Sequence, residues 1–359
     1  MSLLQNSGTN SRAEREETDM KMWYEKEGRD EDVVLSTKAC LVRNIKGYNF
    51  PSKMDEKDAK SLLAKVDSVI DRSTFSGGMA TDIVNSGDTS LLMKAQISGR
   101  DGSLLFAPDR KSIYYNDDFG LSIAVGNNEH LTIKAQAAGH DIGVYRLAEK
   151  AAVELEKKLD IAYSDKYGFL TSSVKLTGTG LKILYTVAIP AIAKTEGGIA
   201  ALRERVGQYE WTIYPFAEQG ELNESGVYII ASVSTLGVSE EEILERGEML
   251  IEDVMKAERA CREQFATKKK TQMKDLYGRA YGLLRFASLM SRREALDSVC
   301  WLRLYRDYDD AREFECKWKM LNTITQEVCW EQQRRNEINT QTTQKKRAER
   351  IRKILKGDD

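Results

Sequence analysis

Two short runs near the middle of the chain place apolar residues at every second position. Leu121, Ile123 and Val125 alternate with Ser122 and Ala124, and Leu131, Ile133 and Ala135 alternate with Thr132, Lys134 and Gln136. A period of two lines one face of a strand, so these runs, joined through Gly126–His130, predict an antiparallel hairpin in a half-buried sheet. Ile183–Ile189 and Val227–Val233 are continuous apolar runs with many β-branched residues, which predicts central strands covered on both faces.

Helical periods frame these strands. Asp55–Asp71 carries Leu62, Leu63, Val66, Val69 and Ile70 on one face, and Leu147, Ala151, Leu155 and Leu159 recur every four residues, a stripe expected to lie on the sheet. Ser239-Glu-Glu-Glu242 spells a capping box: the serine hydroxyl accepts from a free N–H while Glu242 reaches back. It opens a helix bearing Ile243, Leu244, Leu250, Ile251 and Val254. Beyond about residue 255 no strand signal returns, and Leu283, Leu284, Leu289, Leu296, Trp301, Leu302, Trp318 and Leu321 recur at helical intervals. The expected fold is α+β: a central, mainly antiparallel sheet flanked by helices over 23–254, then an all-helical domain over 255–359. Residues 1–22 are polar and aperiodic, a mobile arm by composition. Phe75–Asp88 reads as a loop and Leu91–Ile97 as a helical segment.

Composition narrows the class. A chain of 359 residues, 41% hydrophobic and 31% charged, is long enough for two domains and ordinary for a soluble globular protein. Lys plus Arg (54) nearly balances Asp plus Glu (56), so global charge favours neither nucleic acid nor a membrane surface. No apolar run approaches the ~20 residues of a membrane span. The amino terminus lacks the layout of a secretory signal. Cys40, Cys261, Cys300, Cys316 and Cys329 are scattered without a Cys-x-x-Cys pair, the usage of a reduced, cytoplasmic protein. With two histidines and no Cys/His cluster, no metal site is expected.

Candidate chemistry gathers before the Ile183 run. Gly178 and Gly180 flank Thr179, and Lys175 and Lys182 bracket the turn. Glycines there suit either an anion resting against main-chain N–H groups or a tight strand-entry turn.

Four words fall in a fixed order: Val33–Asn44 followed by Tyr48-Asn-Phe-Pro51; Asn127-Asn-Glu-His-Leu-Thr132; Tyr167-Gly-Phe-Leu-Thr-Ser-Ser173 with Gly178-Thr-Gly-Leu-Lys182; and Arg347-Ala-Glu-Arg350. Together, over residues 23–359, they resemble the ATP:guanido phosphotransferases, or phosphagen kinases, and within them the bacterial protein arginine kinases. The resemblance implies ATP and Mg2+ as cosubstrates if the chain is active. It also implies arginine forks on the triphosphate, a carboxylate that orients the guanidinium and takes its proton, and a cysteine thiolate beside the substrate.

Carried over position by position, the resemblance shows losses. Ser36 is kept, but Lys38 and Cys40 stand where arginines belong in the nucleotide segment, and Ala95 stands for a histidine. Anchoring on His130-Leu131 puts Asn128 at the catalytic carboxylate and Thr132 at another phosphate-gripping arginine. Ser173 replaces the cysteine, Val174 the following proline, and Lys182 the last arginine. Residues 210–218 carry no counterpart of the family's Arg-Gly-x-x-Gly-Glu loop. Glu129, one residue along from Asn128, is a replacement base if a bulge re-aims it. Arg347 and Arg350 lie on a basic helix whose other side carries Ala348, Ile351 and Leu355. They face solvent, an acidic neighbour, or a phosphorylated or phosphoarginine-bearing partner.

An asparagine cannot accept a proton, and a serine stays neutral near pH 7. Each lost electrostatic group typically costs ~100- to 1000-fold in rate. The expectation is therefore a pseudokinase with a regulatory or scaffolding role. Its partner would be a protein of an arginine-kinase and Clp stress system: an active arginine kinase, its zinc-binding activator, the stress repressor or the unfoldase. A homo-dimer or higher oligomer is expected too, with neither nucleic acid nor membrane as partner. Two alternatives stand beside it: an active guanidino phosphotransferase with a rebuilt site, and a phosphoarginine- or nucleotide-sensing module without turnover.

Overall fold

The computed structural model describes residues 22–71, 96, 112–216, 226–268, 270–306, 317–330 and 340–356. The readings of the amino-terminal arm up to residue 21, of Phe75–Asp88 and of Leu91–Ile97, Gln96 apart, lie outside the described residues. Met22 is 1% exposed. In chain order the elements are β1 (Val34–Arg43), α1 (Glu56–Asp67), β2 (Ser112–Tyr115), β3 (Leu121–Val125), β4 (Leu131–Ala138), α2 (Gly143–Glu156), β5 (Tyr163–Ser164) and β6 (Gly168–Phe169). There follow β7 (Leu181–Ala188), α3 (Pro190–Lys194), α4 (Gly198–Gln208), β8 (Trp211–Pro215), β9 (Val227–Ser232) and α5 (Glu240–Lys268). Last come α6 (Lys270–Phe286), α7 (Arg292–Tyr305), α8 (Trp318–Trp330) and α9 (Gln341–Lys356).

Seven strands form one sheet in the order β2-β3-β4-β1-β7-β9-β8, with every pairing antiparallel. The expected hairpin is β3–β4, with Leu121 opposite Ala135 and Val125 opposite Leu131. The two apolar runs are β7 and β9, paired with each other. Sheet-wide register divides the faces. Ala39 and Leu41 of β1, Ile133 of β4 and Ile183 and Tyr185 of β7 join a core with Leu62 and Val66 of α1, Ala148 and Ala152 of α2, and Leu250 and Ile251 of α5. On the opposite face Lys38 lies across from Gln136 and Leu184, and Cys40 across from Lys134 and Lys182.

The central strand, β1, was not read as a strand from the sequence. Its period is broken by a shift between Val34 and Ser36, and cover on both faces blurs the alternation. The helix α2 forms where expected and Leu155 and Leu159 are buried as its stripe requires, but the buried face is turned away from Leu147. Val144, Tyr145, Ala148, Ala152 and Leu155 face the core while Leu147 is 41% exposed. A helical period leaves the face undecided when small residues can replace leucines at the contact. Here alanines sit close to the sheet.

The capping box at the start of α5 is closed on both sides: Glu242 N–H donates to Ser239 Oγ at 3.1 Å and Ser239 N–H to Glu242 Oε2 at 2.7 Å. This helix continues unbroken through residue 255 to Lys268. Beyond it, α6 to α9 share a second core with Leu35, Ala188 and Val227 from the sheet. Buried Glu258 of α5 ties the parts together. It accepts from the Ala191 and Ile192 N–H groups at the start of α3 and from Arg262, which also reaches the Asp32 carbonyl.

Candidate functional site

The β3–β4 turn, the Ser172–Ser173 loop and one face of the sheet meet at the Thr132 end of β4. The turn closes with Gly126 N–H donating to the His130 carbonyl at 3.0 Å. Within it Asn128 is exposed while Glu129 is turned inward and 2% exposed. Four donors surround the Glu129 carboxylate. Asn44 Nδ2 (2.6 Å) and Ser172 N–H (2.9 Å) donate to Oε2, and Ser172 Oγ (2.8 Å) and Ser173 N–H (3.2 Å) to Oε1. Ser172 Oγ also reaches the Asn128 carbonyl at 2.9 Å. The carboxylate position and the thiol position of the resemblance are thus brought together, and Glu129 is the clasp between them.

His130 anchors the other side of the turn. Ile45 N–H donates to Nδ1 at 2.9 Å, and Nε2 lies 2.8 Å from the Asn49 carbonyl. That pattern requires a neutral ring with its proton on Nε2, and burial accordingly lowers the His130 pKa. Asn44 Oδ1 accepts from His130 N–H at 2.9 Å, so this asparagine holds both members of the Glu129-His130 pair.

Ser36, Lys38, Cys40, Thr132 and Lys182 all fall on the polar face of the sheet. Two cations there are engaged from within the chain. Lys38 Nζ donates to Gln96 Oε1 at 2.7 Å and sits 5.1 Å from the Trp23 ring centre, and Lys134 Nζ donates to the Gln96 carbonyl at 3.0 Å. Buried Gln96 is itself held by Gln326 of α8 at 2.7 Å. Cys40, Thr132 and Lys182 are half-buried at the open end. Ser36 is fully buried, with no partner for its hydroxyl among the described residues.

The Gly178-Thr-Gly180 word is packed against protein. Gly178 has φ +118, and a Cβ there would come 2.0 Å from the Thr235 carbonyl oxygen. Gly178 N–H donates to the Phe169 carbonyl and Thr179 N–H to that of Thr235. The strand-entry reading describes this turn, whose amides at 178 and 179 are already used.

Residues 347 and 350 lie on α9. Arg347 is 3% exposed and donates from Nη1 to the Met290 carbonyl at 2.7 Å, on the packed side of α9 rather than off it as expected. Arg350 pairs with Glu327 at 3.2 Å, the acidic-neighbour reading. Of residues 210–218, Glu210–Phe216 are described and mostly form edge strand β8; 217 and 218 fall outside the described residues.

Sequence reasoning missed Asn44 and Arg43. Arg43 is 4% exposed, pairs through Nε with Glu156 at 2.6 Å and lies 3.5 Å from the Phe169 ring centre. The signal available was an Arg-Asn pair closing a strand, where polar side chains can reach several loops. Among the described residues no group of three His, Cys, Asp or Glu side chains could hold a metal ion. Likewise no described helix is long and apolar enough to cross a membrane.

Glu129→Gln is expected to lower the unfolding free energy by about 2–4 kcal/mol in urea titrations. One amide oxygen replaces two acceptors, and the new NH2 opposes donors in a buried site. A loss under about 0.5 kcal/mol would show that Glu129 is not the clasp.

The family model described as ATP:guanido phosphotransferase, C-terminal catalytic domain, matches residues 53–261. The protein-arginine kinase of Caldanaerobacter subterraneus subsp. tengcongensis is 30% identical over 279 residues, 77% of this chain and 82% of that protein. The protein-arginine kinase of Symbiobacterium thermophilum is 26% identical over 344 residues, 93% of this chain and 96% of that protein. A lombricine kinase structure superposes with TM-score 0.53 at 16% identity, covering 65% of this chain and 68% of that one. The duplicated taurocyamine kinase from Schistosoma mansoni with bound transition state analog components gives TM-score 0.53 at 17% identity, covering 65% and 33%.

Proposed function

Because the chain belongs to the ATP:guanido phosphotransferase family, with protein-arginine kinases among its relatives, we propose that it keeps the fold without the phosphoryl transfer and serves as a regulatory or scaffolding partner. The observation that carries this reading is Glu129. It is the carboxylate of the turn where the family places its base, and its four hydrogen bonds go to Asn44, Ser172 and Ser173. A base must offer a free lone pair to the proton it takes. Asn128, the exposed residue of the turn, offers an amide.

Family membership implies ATP and Mg2+ for an active member. The residues at the phosphate positions do not fit that ligand. Lysine binds phosphate as a point charge without the arginine fork, and Lys38 is drawn to Gln96. Cys40 and Thr132 supply no charge. On this reading the partner is a protein of an arginine-phosphorylating system, met in the cytoplasm by a dimer or larger assembly of this chain.

The test is calorimetric titration with ATP, with and without magnesium. Binding is expected to be undetectable or weaker than ~1 mM, a standard free energy weaker than about −4 kcal/mol. Micromolar affinity abolished by Lys182→Ala would overturn the proposal in favour of an active site rebuilt around the remaining lysines.

A further inference from the structure

His140, just past the end of β4, is buried where four parts of the chain meet. From α5, Glu248 Oε1 lies 2.7 Å from Nε2. From the turn before β1, Arg29 Nη2 lies 3.0 Å from Nδ1, and Asp30 Oδ2 lies 3.8 Å from the same nitrogen. From β7, the Tyr185 ring meets the imidazole nearly at right angles, 5.9 Å between centres, and its hydroxyl donates to Glu248 Oε1 at 3.2 Å. Arg259 of α5 holds the other Asp30 oxygen at 2.9 Å. Asp141, next in the chain, accepts from the Gly143 N–H at the start of α2.

Donor chemistry fixes the ring in one form. A guanidinium only donates, so Nδ1 presents its lone pair to Arg29 and the ring proton sits on Nε2, directed at Glu248. The two carboxylates beside the ring are held in their charged form. The hydrogen bond from Arg259 keeps the Asp30 carboxyl below its usual range. Burial raises that of Glu248, but the hydrogen bonds from His140 and Tyr185 and the Arg29 charge outweigh burial and bring it below its usual range too.

A second proton on this ring goes to Nδ1. Arg29 then loses its acceptor, and its guanidinium faces an imidazolium across a contact that water screens little. The new N–H has Asp30 Oδ2 as the carboxylate oxygen facing it. That oxygen is now held by Arg29, whose Nε lies 3.3 Å away and whose side chain is 67% exposed. The backbone beneath is fixed. His140 N–H donates to the Arg29 carbonyl at 2.8 Å, and a Cβ added to Gly28 or Gly139 would come 2.5 Å from the opposite segment's backbone. Protonation therefore moves one exposed side chain and leaves the chain path in place.

We propose that His140 is a proton-operated latch, which on acidification binds one solvent proton at Nδ1, takes Asp30 in place of Arg29 as its partner, and releases the Arg29 guanidinium to the surface. Imidazole is the side chain whose charge ordinarily changes between about pH 5 and 8. The latch does not rest on the pseudokinase reading, since none of its residues stands at a carboxylate, thiol or phosphate position.

The test is nitrogen NMR of the full chain, following the His140 ring nitrogens and the Arg29 Nε–H as the pH is lowered from about 8 to about 5. His140→Gln separates the His140 signals from those of His130. The Nε2–H tautomer is expected at the start, with a slowly exchanging Arg29 Nε–H. As Nδ1 gains its proton, the Arg29 signal should lose exchange protection by about tenfold with the same midpoint. Arg29→Gln removes the competing cation at an exposed position and should raise the midpoint by about one pH unit, a tenfold gain in proton affinity. Asp30→Asn should lower it by about as much, and asparagine tolerates the φ of +53 at this position. A packing role alone would leave both midpoints where they are. A ring that stays neutral throughout, an Arg29 signal indifferent to the ring's titration, or a midpoint unmoved in both variants would overturn the proposal.

Discussion

Phosphoarginine formation is expected to stay at background when Asn128→Glu is the only change made. That substitution returns a carboxylate to the exposed position of the turn, yet the transferring phosphate still meets Cys40 and Thr132 where the family resemblance places arginines. Restoring arginines at 40 and 132 alone rebuilds part of the clamp and leaves the guanidinium without its orienting charge. Parts that act as one unit give single reversions that read as zero, because the missing partner still sets the barrier. Each absent group accounts for ~100- to 1000-fold, so only a combined set can bring the rate into view. Asn128→Glu, Ser173→Cys, Cys40→Arg and Thr132→Arg together form that set. The assay is acid-labile label on an unstructured arginine-rich substrate, counted apart from acid-stable serine phosphate. Robust acid-labile product from the unmodified chain would overturn the expectation. Its loss in Glu129→Gln, with the fold intact, would make Glu129 the base.

The largest structural effect is expected at Gly178. Its φ of +118 lies where side-chain-bearing residues rarely go, and an added Cβ would sit 2.0 Å from the Thr235 carbonyl oxygen. Backbone cannot yield as a flexible side chain does, so the Thr235–Gly237 loop or the β7 entry must shift. The shift also breaks the Thr179–Thr235 hydrogen bond. Gly178→Ala should therefore cost at least ~3 kcal/mol in unfolding free energy, the sum of strain and overpacking. Gly47 is the internal comparison. Its φ is +85 but a Cβ there meets nothing within 4 Å, so Gly47→Ala should cost only about 1 kcal/mol. Equal costs at the two positions would remove the close-contact explanation. The same glycine word that suggests an anion cradle in the sequence then owes its form to backbone packing.

What the sequence by itself determined is the local and the periodic. The β3–β4 hairpin follows from alternation over a few residues, the start of α5 from Ser239 and Glu242, and the helical tail from apolar spacing. Each of these depends on neighbours within a turn or a strand, where side-chain period and backbone hydrogen bonding act over short separations. The family was legible as well, because its words recur in order, whatever each residue does.

Tertiary structure decided the use of each side chain. Asn44 and Glu129 are 85 residues apart, Ser172 lies 43 from Glu129, and Lys38 lies 58 from Gln96, so no window of sequence shows that these groups consume one another. The β1 strand sits at the centre of the sheet, covered on both faces, and its alternation is interrupted by a register shift; its partners, not its pattern, make it a strand. Arg347 looks like a surface cation on a basic helix until the Met290 carbonyl, 57 residues away, gives it a buried acceptor. A charged or polar residue advertises what it can bond to, whereas the bond it makes is set by which distant donor or acceptor the packed core brings within about 3 Å.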